Sequence, residues 1–295
     1  MAGTGAKIKV DDGNVEGYDA NRYHFDGNAV GVATLDDVGP AEVQQFHDEG
    51  YLAVEDAFSS ERVDGARNAL MELIDCGRGR ESDRTPYAIH IEPGHEDKWE
   101  TLDRDARQDV VRKLMWFVDA DARLFEMAHD DKLASVVERL MGGPMKLFQD
   151  MALLKPPHGG REKPWHQDHA YFDYELTTKI VGVWIALDEA TSENGCMRIL
   201  PRLHKRDPFV HFKRRDWQIC DHEIDELQDR HCLTVPLKPG GCLFFSSLLP
   251  HGTPANTSAA RRRALQFHYR PLSAISIGED ERMAVFGGEG KDVEC

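Results

Sequence analysis

The sequence predicts an α+β fold, with helices in the first half of the chain and an all-β core in the second half. Apolar residues recur at helical spacing before residue 142, and short β-rich runs separated by Gly, Pro and Asn follow it. Many short strands with turn signals between them indicate a sandwich or a barrel, and a jelly roll is one way to close such a sheet.

The helices of the first half are predicted from their spacing and their ends. Residues 40–50 have Pro near the start and Gly at the end. In 59–76, apolar residues fall at helical spacing after a Ser that can cap the first turn. Residues 133–141 are amphipathic and stop at Gly-Gly-Pro, and 114–119 also look helical. Tyr51–Val54 is predicted to be a strand.

The second half is predicted to be a run of strands, because β-rich segments alternate with turn residues. The predicted strands are 145–154, about 164–172, 180–187, 196–200, 232–237, 242–245 and 262–269.

We expect a single domain over residues 38–277, with its β core at about 145–271, because no change of composition divides the 295-residue chain. Residues 1–37 are polar, rich in Gly and Asp, and lack the order of a secretory signal, so we expect an arm. Residues 278–295 are polar and Gly-rich, and are expected to form a loose tail.

The composition disfavours several classes of partner. The net charge of −16 argues against nucleic acid, since binding a phosphate backbone needs concentrated positive charge. No apolar run approaches the roughly 20 residues that span a bilayer, so no membrane partner is expected. The six cysteines form no CxxC pair, which predicts a reducing, cytoplasmic location without disulfides. A small-molecule substrate is expected, and the oligomeric state stays open.

A His-x-Asp pair can supply two ligands to a metal, because residues i and i+2 of a strand point to the same face. The sequence contains four such pairs, so the pattern alone identifies nothing. They are His24/Asp26, His95/Asp97, His129/Asp131 and His166/Asp168. The first lies in the polar arm, the second in an apparent loop and the third at the end of a helix. Only His166 and Asp168 lie in the strand-rich half.

The third ligand has to come from a distant strand, and His251 is the best candidate because it follows a buried apolar run. Eleven residues later, Arg262 opens a strand whose alternation places Arg262, Ala264, Gln266 and His268 on one face. An inward Arg262 could grip a carboxylate with two charge-assisted hydrogen bonds. The alternative is a surface residue among three consecutive arginines.

Three motifs taken together resemble the phytanoyl-CoA dioxygenase (PhyH) family of Fe(II)- and 2-oxoglutarate-dependent oxygenases. They are WHQD (165–168), GVWIALDEATSENGCMRILP (182–201) and HGTPANTS (251–258) followed by Arg262. The resemblance runs over roughly 40–271, with its specific motifs within 149–269. It implies a double-stranded β-helix, and an enzyme that uses Fe(II), O2 and 2-oxoglutarate as co-substrate to oxidise, in most cases hydroxylate, a C–H bond while 2-oxoglutarate is decarboxylated to succinate.

The resemblance also implies roles for particular residues. His166, Asp168 and His251 would be the catalytic metal ligands, and Arg262 would bind the C5 carboxylate of 2-oxoglutarate. Further co-substrate contacts are implied for Trp184, Met151 and Lys113. The alternatives are core packing for the first two and an exposed helical position for Lys113. Related halogenating enzymes have a small residue in place of the metal carboxylate, so the presence of Asp168 argues for oxygenation.

Two other functions are compatible with the sequence. A cupin-type jelly roll would bind metal through the same residues without 2-oxoglutarate, and would have no need for an inward Arg262. A non-enzymatic β-sandwich binding module would contain the histidines only incidentally.

Overall fold

The computed structural model describes residues 7–10, 19–76, 87–227 and 231–287. Helices are concentrated before residue 142, as predicted. The α-helices of the described residues are α1 (Pro40–Glu49), α2 (Ser60–Cys76), α3 (Arg104–Val110), α4 (Ala122–Ala128), α5 (Asp131–Met141), α6 (Asp221–Leu227) and α7 (Glu279–Phe286).

The strands form two large sheets and one hairpin. They are β1 (Lys7–Val10), β2 (Gly27–Asn28), β3 (Gly31–Val32), β4 (Tyr51–Val54), β5 (Ala88–Ile91), β6 (Val111–Met115), β7 (Met145–Lys155), β8 (Lys163–His166), β9 (Val181–Ala186), β10 (Met197–Ile199), β11 (His211–Lys213), β12 (Trp217–Ile219), β13 (Leu233–Val235), β14 (Cys242–Ser246), β15 (His251–Thr253) and β16 (Arg262–Pro271).

The chain alternates between the two large sheets. One sheet has nine strands in the order β1-β5-β6-β7-β16-β9-β14-β4-β3, and the other has five in the order β2-β13-β10-β15-β8. Trp184 and Phe245 of the larger sheet pack with Met197, Ile199 and Val235 of the smaller one in a shared apolar cluster. The two sheets therefore face each other across a common interior.

The helices of the first half of the chain cover the outer face of the nine-stranded sheet. Along β9, Val183 and Ile185 join the apolar cluster that includes helical residues such as Leu70 and Leu140, whereas Trp184 faces the interior between the sheets. A strand buried on both faces reads as a continuous apolar run, which is why its sequence shows no polar alternation. The α+β architecture predicted from the sequence is confirmed.

Most of the predicted elements occur within a few residues of their expected bounds, and two differ. The segment 114–119 was expected to be helical, but β6 extends through Met115 and pairs with both β5 and β7. Sheet pairing on both sides outweighs the local helical pattern of such a short segment. The predicted strand 164–172 ends at His166, and a 3-10 helix (Asp168–Tyr171) follows it.

The described parts of the expected arm and of the expected tail contain regular secondary structure. In the first segment, β1 pairs with β5, β2 with β13 and β3 with β4. In the last segment, α7 docks Phe286 against His169 and His211, with ring centroids 5.8 Å apart in each pair. The domain boundaries at residues 37 and 278 stay a prediction.

The cysteines differ from the sequence-based expectation. Cys196, Cys232 and Cys242 are buried free thiols, and burial raises the pKa of Cys232 to about 12. Cys220, in contrast, is disulfide-bonded, so the expectation that the chain has no disulfide is wrong. Spacing along the chain could not show this, because a disulfide depends on distances that only the folded chain defines.

None of the helices in the described segments has both the length and the hydropathy needed to cross a membrane.

We predict that Phe286→Ala lowers the free energy of unfolding by about 3 kcal/mol, since truncating a buried aromatic side chain costs roughly that much. Phe286 is only 2% exposed, whereas its neighbour Val285 is 37% exposed. The matched variant Val285→Ala should change the free energy of unfolding by no more than about 0.5 kcal/mol. Chemical denaturation followed by circular dichroism measures both, and equal losses would show that α7 does not dock through Phe286.

Candidate metal centre

Three side chains that could hold a metal meet where β8 and β15 pair. His166 is the last residue of β8, His251 is the first residue of β15, and the two lie opposite each other in the sheet register. Asp168 opens the 3-10 helix that follows β8. The candidate ligand atoms of the three side chains all lie within 4.8 Å of one another. Two imidazoles and one carboxylate on one side of a site fit a non-haem iron centre.

Asp168 reaches this site by a turn of the chain and not by strand alternation, which corrects the expected geometry. The Nε2 atoms of His166 and His251 lie 3.3 Å and 3.6 Å from Asp168 Oδ1. All three residues are buried. The spacing of the pair therefore identified the right residues, although the strand ends before the carboxylate.

Backbone carbonyls orient both imidazoles. His166 Nδ1 lies 2.8 Å from the carbonyl oxygen of Pro164, and His251 Nδ1 lies 2.9 Å from that of Leu249. A carbonyl only accepts hydrogen bonds, so each Nδ1 carries the proton and each Nε2 lone pair faces the site. Burial lowers the pKa of His251 to about 3, which keeps this ring neutral and able to bind a metal.

The outer oxygen of Asp168 is held by the strand that contains Arg262. His268 Nε2 donates to Asp168 Oδ2 at 2.7 Å, and Gln266 Nε2 donates to the same atom at 3.2 Å. Burial raises the pKa of Asp168, but His251, His268 and the hydrogen bonds outweigh it and hold that pKa well below its usual range. The carboxylate is therefore ionised, with Oδ1 directed towards the two histidines.

The other His-x-Asp pairs form no comparable cluster. Within the described part of the chain, His166, Asp168 and His251 form the only group of three or more side chains placed to bind one metal ion. His24 and Asp26 are exposed, and Asp26 forms ion pairs with His24 and His231 and accepts a hydrogen bond from the backbone N–H of Cys232. His129 is exposed at the end of α4.

A pocket opens beside this cluster, and every residue predicted from the sequence for the site lines it: the three metal-binding candidates, Arg262, Trp184, Met151 and Lys113. Arg262 is 1% exposed, so it points inwards and is not a surface residue. The two neighbouring arginines, in contrast, form ion pairs: Arg261 with Asp109 and Arg263 with Asp188.

The guanidinium of Arg262 has unused hydrogen-bond donors. Its guanidinium lies 5.5 Å from the centre of the Trp184 ring and makes one long hydrogen bond, 3.5 Å, to the carbonyl of Leu153. Among the described residues, no carboxylate forms an ion pair with it, and its buried Nε has no partner. Burial lowers the pKa of Arg262 to about 10, which still leaves it charged at neutral pH. The pocket is therefore suited to an anion.

The weaker candidates also face this pocket. Trp184 is fully buried, and its Nε1 has no hydrogen-bond partner. Met151 lies opposite Gln266 in the register of β7 and β16. Lys113 is a half-buried residue of β6, so the alternative of an exposed helical position is wrong.

Several residues of the site were not proposed from the sequence. Gln266 and His268 share the face predicted for Arg262, so the alternation of that strand was the signal for them. The rim residues Arg161 and Lys163, which pair with Glu92 and Asp216, had no such signal. They come from separate segments that only the fold brings together.

Comparison with known proteins identifies the family. The family model described as "Phytanoyl-CoA dioxygenase (PhyH)" matches residues 46–264, well over half of the chain. The chain belongs to the PhyH family. It is accordingly an oxidoreductase of the Fe/2-oxoglutarate-dependent dioxygenase class.

Relatives of this PhyH member are diverse. "Phytanoyl-CoA dioxygenase domain-containing protein 1" of Danio rerio is 27% identical over 266 residues, which cover 79% of this chain and 90% of that protein. A "Methylphosphonate hydroxylase" of Gimesia maris is 33% identical over 159 residues, 54% of this chain and 58% of that protein. For three other curated relatives, among them the Gimesia maris protein, the chain spans only about half of the relative's length.

Among solved structures, EctD from S. alaskensis with 2-oxoglutarate and 5-hydroxyectoine has a similar fold. The TM-score is 0.64 at 20% sequence identity, with 89% of the PhyH chain and 84% of the EctD chain covered.

We predict that His268→Phe weakens metal binding about ten- to hundredfold, since groups that hydrogen-bond to metal ligands contribute about that much to metal affinity. Phe keeps the ring volume but removes the donor to Asp168. Anaerobic titration with Co(II), followed by calorimetry, measures the affinity. His129→Phe, at an exposed position, is the matched control and should leave the affinity unchanged. Unaltered affinity in His268→Phe would show that Asp168 needs no such support.

Proposed function

We propose that this protein is a non-haem Fe(II)- and 2-oxoglutarate-dependent dioxygenase that hydroxylates an unactivated C–H bond of a small molecule. The reaction would consume O2 and couple oxidation of the substrate to decarboxylation of 2-oxoglutarate to succinate. One observation supports this most strongly: the buried cluster of His166, Asp168 and His251 shares a pocket with the inward, unpaired Arg262.

The strand order supports a double-stranded β-helix, or jelly roll. Eight strands are divided equally between the sheets, and the chain crosses between them repeatedly: β7, β9, β14 and β16 belong to the larger one, and β8, β10, β13 and β15 to the smaller one. In this interpretation, the smaller sheet contributes His166 and His251, the 3-10 helix after β8 contributes Asp168, and the larger sheet contributes Arg262 and Trp184. The reaction would take place between the sheets.

The residues present fit both an iron ion and a dicarboxylate. Two neutral imidazoles and an ionised carboxylate are suitable Fe(II) ligands and leave other coordination positions open. The unpaired buried donors of Arg262 and Trp184 fit the far end of an anionic co-substrate. Iron, when bound, would supply the oxygen chemistry, while the protein holds the co-substrate in position and excludes water.

A carboxylate at position 168 supports oxygenation, because halogenating relatives need a small residue there. The rim of the pocket combines cations and carboxylates, such as Arg161 with Glu92 and Lys163 with Asp216. A polar rim supports a small substrate with polar groups.

The cupin-type alternative does not account for Arg262. A metal site that uses no 2-oxoglutarate has no need for a buried guanidinium without a counter-ion, which is costly to keep in the interior. The pocket geometry therefore favours the 2-oxoglutarate-dependent reaction over that alternative.

The decisive experiment begins with the anaerobic protein, to which Fe(II) and 2-oxoglutarate are added. We expect the weak visible charge-transfer band of the iron chelate and, after O2 is admitted, succinate. A panel of small molecules is then scored by the increase in succinate formation, and each hit is examined for a product that has gained one oxygen atom. His251→Ala is the metal-binding control. Absence of both band and succinate in the unmodified protein would refute the proposed function.

We predict that Arg262→Ala raises the dissociation constant for 2-oxoglutarate about a hundredfold, the effect expected from losing charge-assisted hydrogen bonds. Arg261→Ala removes the side chain of the preceding residue, which pairs with Asp109 at the surface. This variant should leave the dissociation constant for 2-oxoglutarate unchanged. Anaerobic titration of the visible band measures both variants. A band that forms equally well in Arg262→Ala would exclude Arg262 from co-substrate binding.

A further inference from the structure

A second buried cation lies beside Arg262. Lys155 is the last residue of β7 and lies opposite Arg262 in the register of β7 and β16. It is 5% exposed and lines the same pocket. Its Nζ donates hydrogen bonds to the backbone carbonyls of Thr253, at 3.2 Å, and of Pro254. Lys155 therefore links the end of β7 to the chain just beyond His251.

The described residues offset the charges of these two side chains only from a distance, through Glu162 for Lys155 and Asp188 for Arg262. Neither Lys155 nor Arg262 forms an ion pair with a carboxylate of the described residues. Burial, together with repulsion from Arg262, holds the pKa of Lys155 well below its usual range. Two neighbouring charges in the interior are costly without an anion, so burial and Arg262 favour the neutral amine of Lys155 while the pocket is empty. A carboxylate bound at this position would favour the charged form of both side chains.

The hydrogen-bond donors of the pair match a carboxylate. An ammonium group has three N–H donors, and the two carbonyls account for two of them. The third N–H of Lys155 and the unpartnered Nε of Arg262 remain. A carboxylate has about four lone-pair positions, enough to accept from both side chains.

The local backbone leaves room for the lysine side chain. Gly195 has a φ of +83°, and a Cβ at this position would lie 3.2 Å from Lys155 Nζ and closer still to the carbonyl oxygen of Pro254. A larger residue at 195 would therefore crowd the lysine and the carbonyl that it binds. The conformation that glycine allows here keeps the ammonium group close to the pocket.

We propose that Lys155 is a second cation of the co-substrate site and that, together with Arg262, it selects 2-oxo acids with a distal carboxylate over those without one. This inference rests on the proposed function and deepens it. Lys155 is a positioning and specificity-determining residue: its charge attracts the distal carboxylate, and its bonds to Thr253 and Pro254 hold the pocket wall next to His251.

The test compares two ligands that differ only at the far end. The Fe(II)-loaded protein is titrated anaerobically by calorimetry with 2-oxoglutarate and with 2-oxopentanoate, which lacks the distal carboxylate. The unmodified protein should prefer 2-oxoglutarate. In Lys155→Met, this preference, expressed as the ratio of the two dissociation constants, should fall about tenfold or more. Lys155→Arg, which keeps the charge, should retain most of the preference.

Two further variants separate charge from structure. Lys155→Gln keeps a donor for the carbonyls of Thr253 and Pro254 but removes the charge, so it should lose preference as Lys155→Met does, even if the latter folds poorly. Lys146→Met removes an exposed lysine from the same strand and should leave both constants unchanged.

The possible outcomes distinguish failure of the inference about Lys155 from failure of the proposed function. A preference that is unchanged in Lys155→Gln, or equal weakening of both ligands, would overturn the inference and leave Lys155 with a structural role only. If the unmodified protein bound neither acid, the proposed function itself would fall, and this inference with it. If the unmodified protein and its charge-removing variants prefer 2-oxoglutarate over 2-oxopentanoate to the same extent, the inference about Lys155 fails while the proposed function stands.

Discussion

The pairing of β8 with β15 is the interaction on which the rest of the site depends. It sets His166 directly opposite His251, two residues that are far apart in the sequence. Each ring is fixed by a carbonyl two residues earlier in the chain, so the local backbone also selects the tautomer. A shift of one residue in the register would move one imidazole to the opposite face and leave no site.

A single strand of the opposite sheet completes both parts of the site. Alternate residues of β16 point into the interior, with Arg262 in the pocket at one end and Gln266 and His268 beside Asp168 further along. The same strand therefore orients the carboxylate of Asp168 and places a buried guanidinium in the pocket. Because the strand is rigid, the distance between the two functions is built into its geometry.

The balance of charge inside the molecule differs from that of the whole chain. The net charge is −16, yet the innermost part of the pocket holds Arg262 and Lys155 side by side. An anion bound between them would favour the charged form of both side chains. The overall charge and the local charge of the pocket can differ in this way because electrostatic forces are short-ranged in salt and strong in the interior.

The sequence by itself determined the order of helices and strands, the family, and the face of β16 that carries Arg262, because these depend on local periodicity and on motif order. The tertiary structure decided the rest. It showed that Asp168 reaches the site through a 3-10 turn, that Lys113 lies in a sheet, that Cys220 is disulfide-bonded and that α7 docks through Phe286. It also placed Lys155 next to Arg262. These features depend on contacts between segments distant in the chain, and no local pattern of residues encodes such distances.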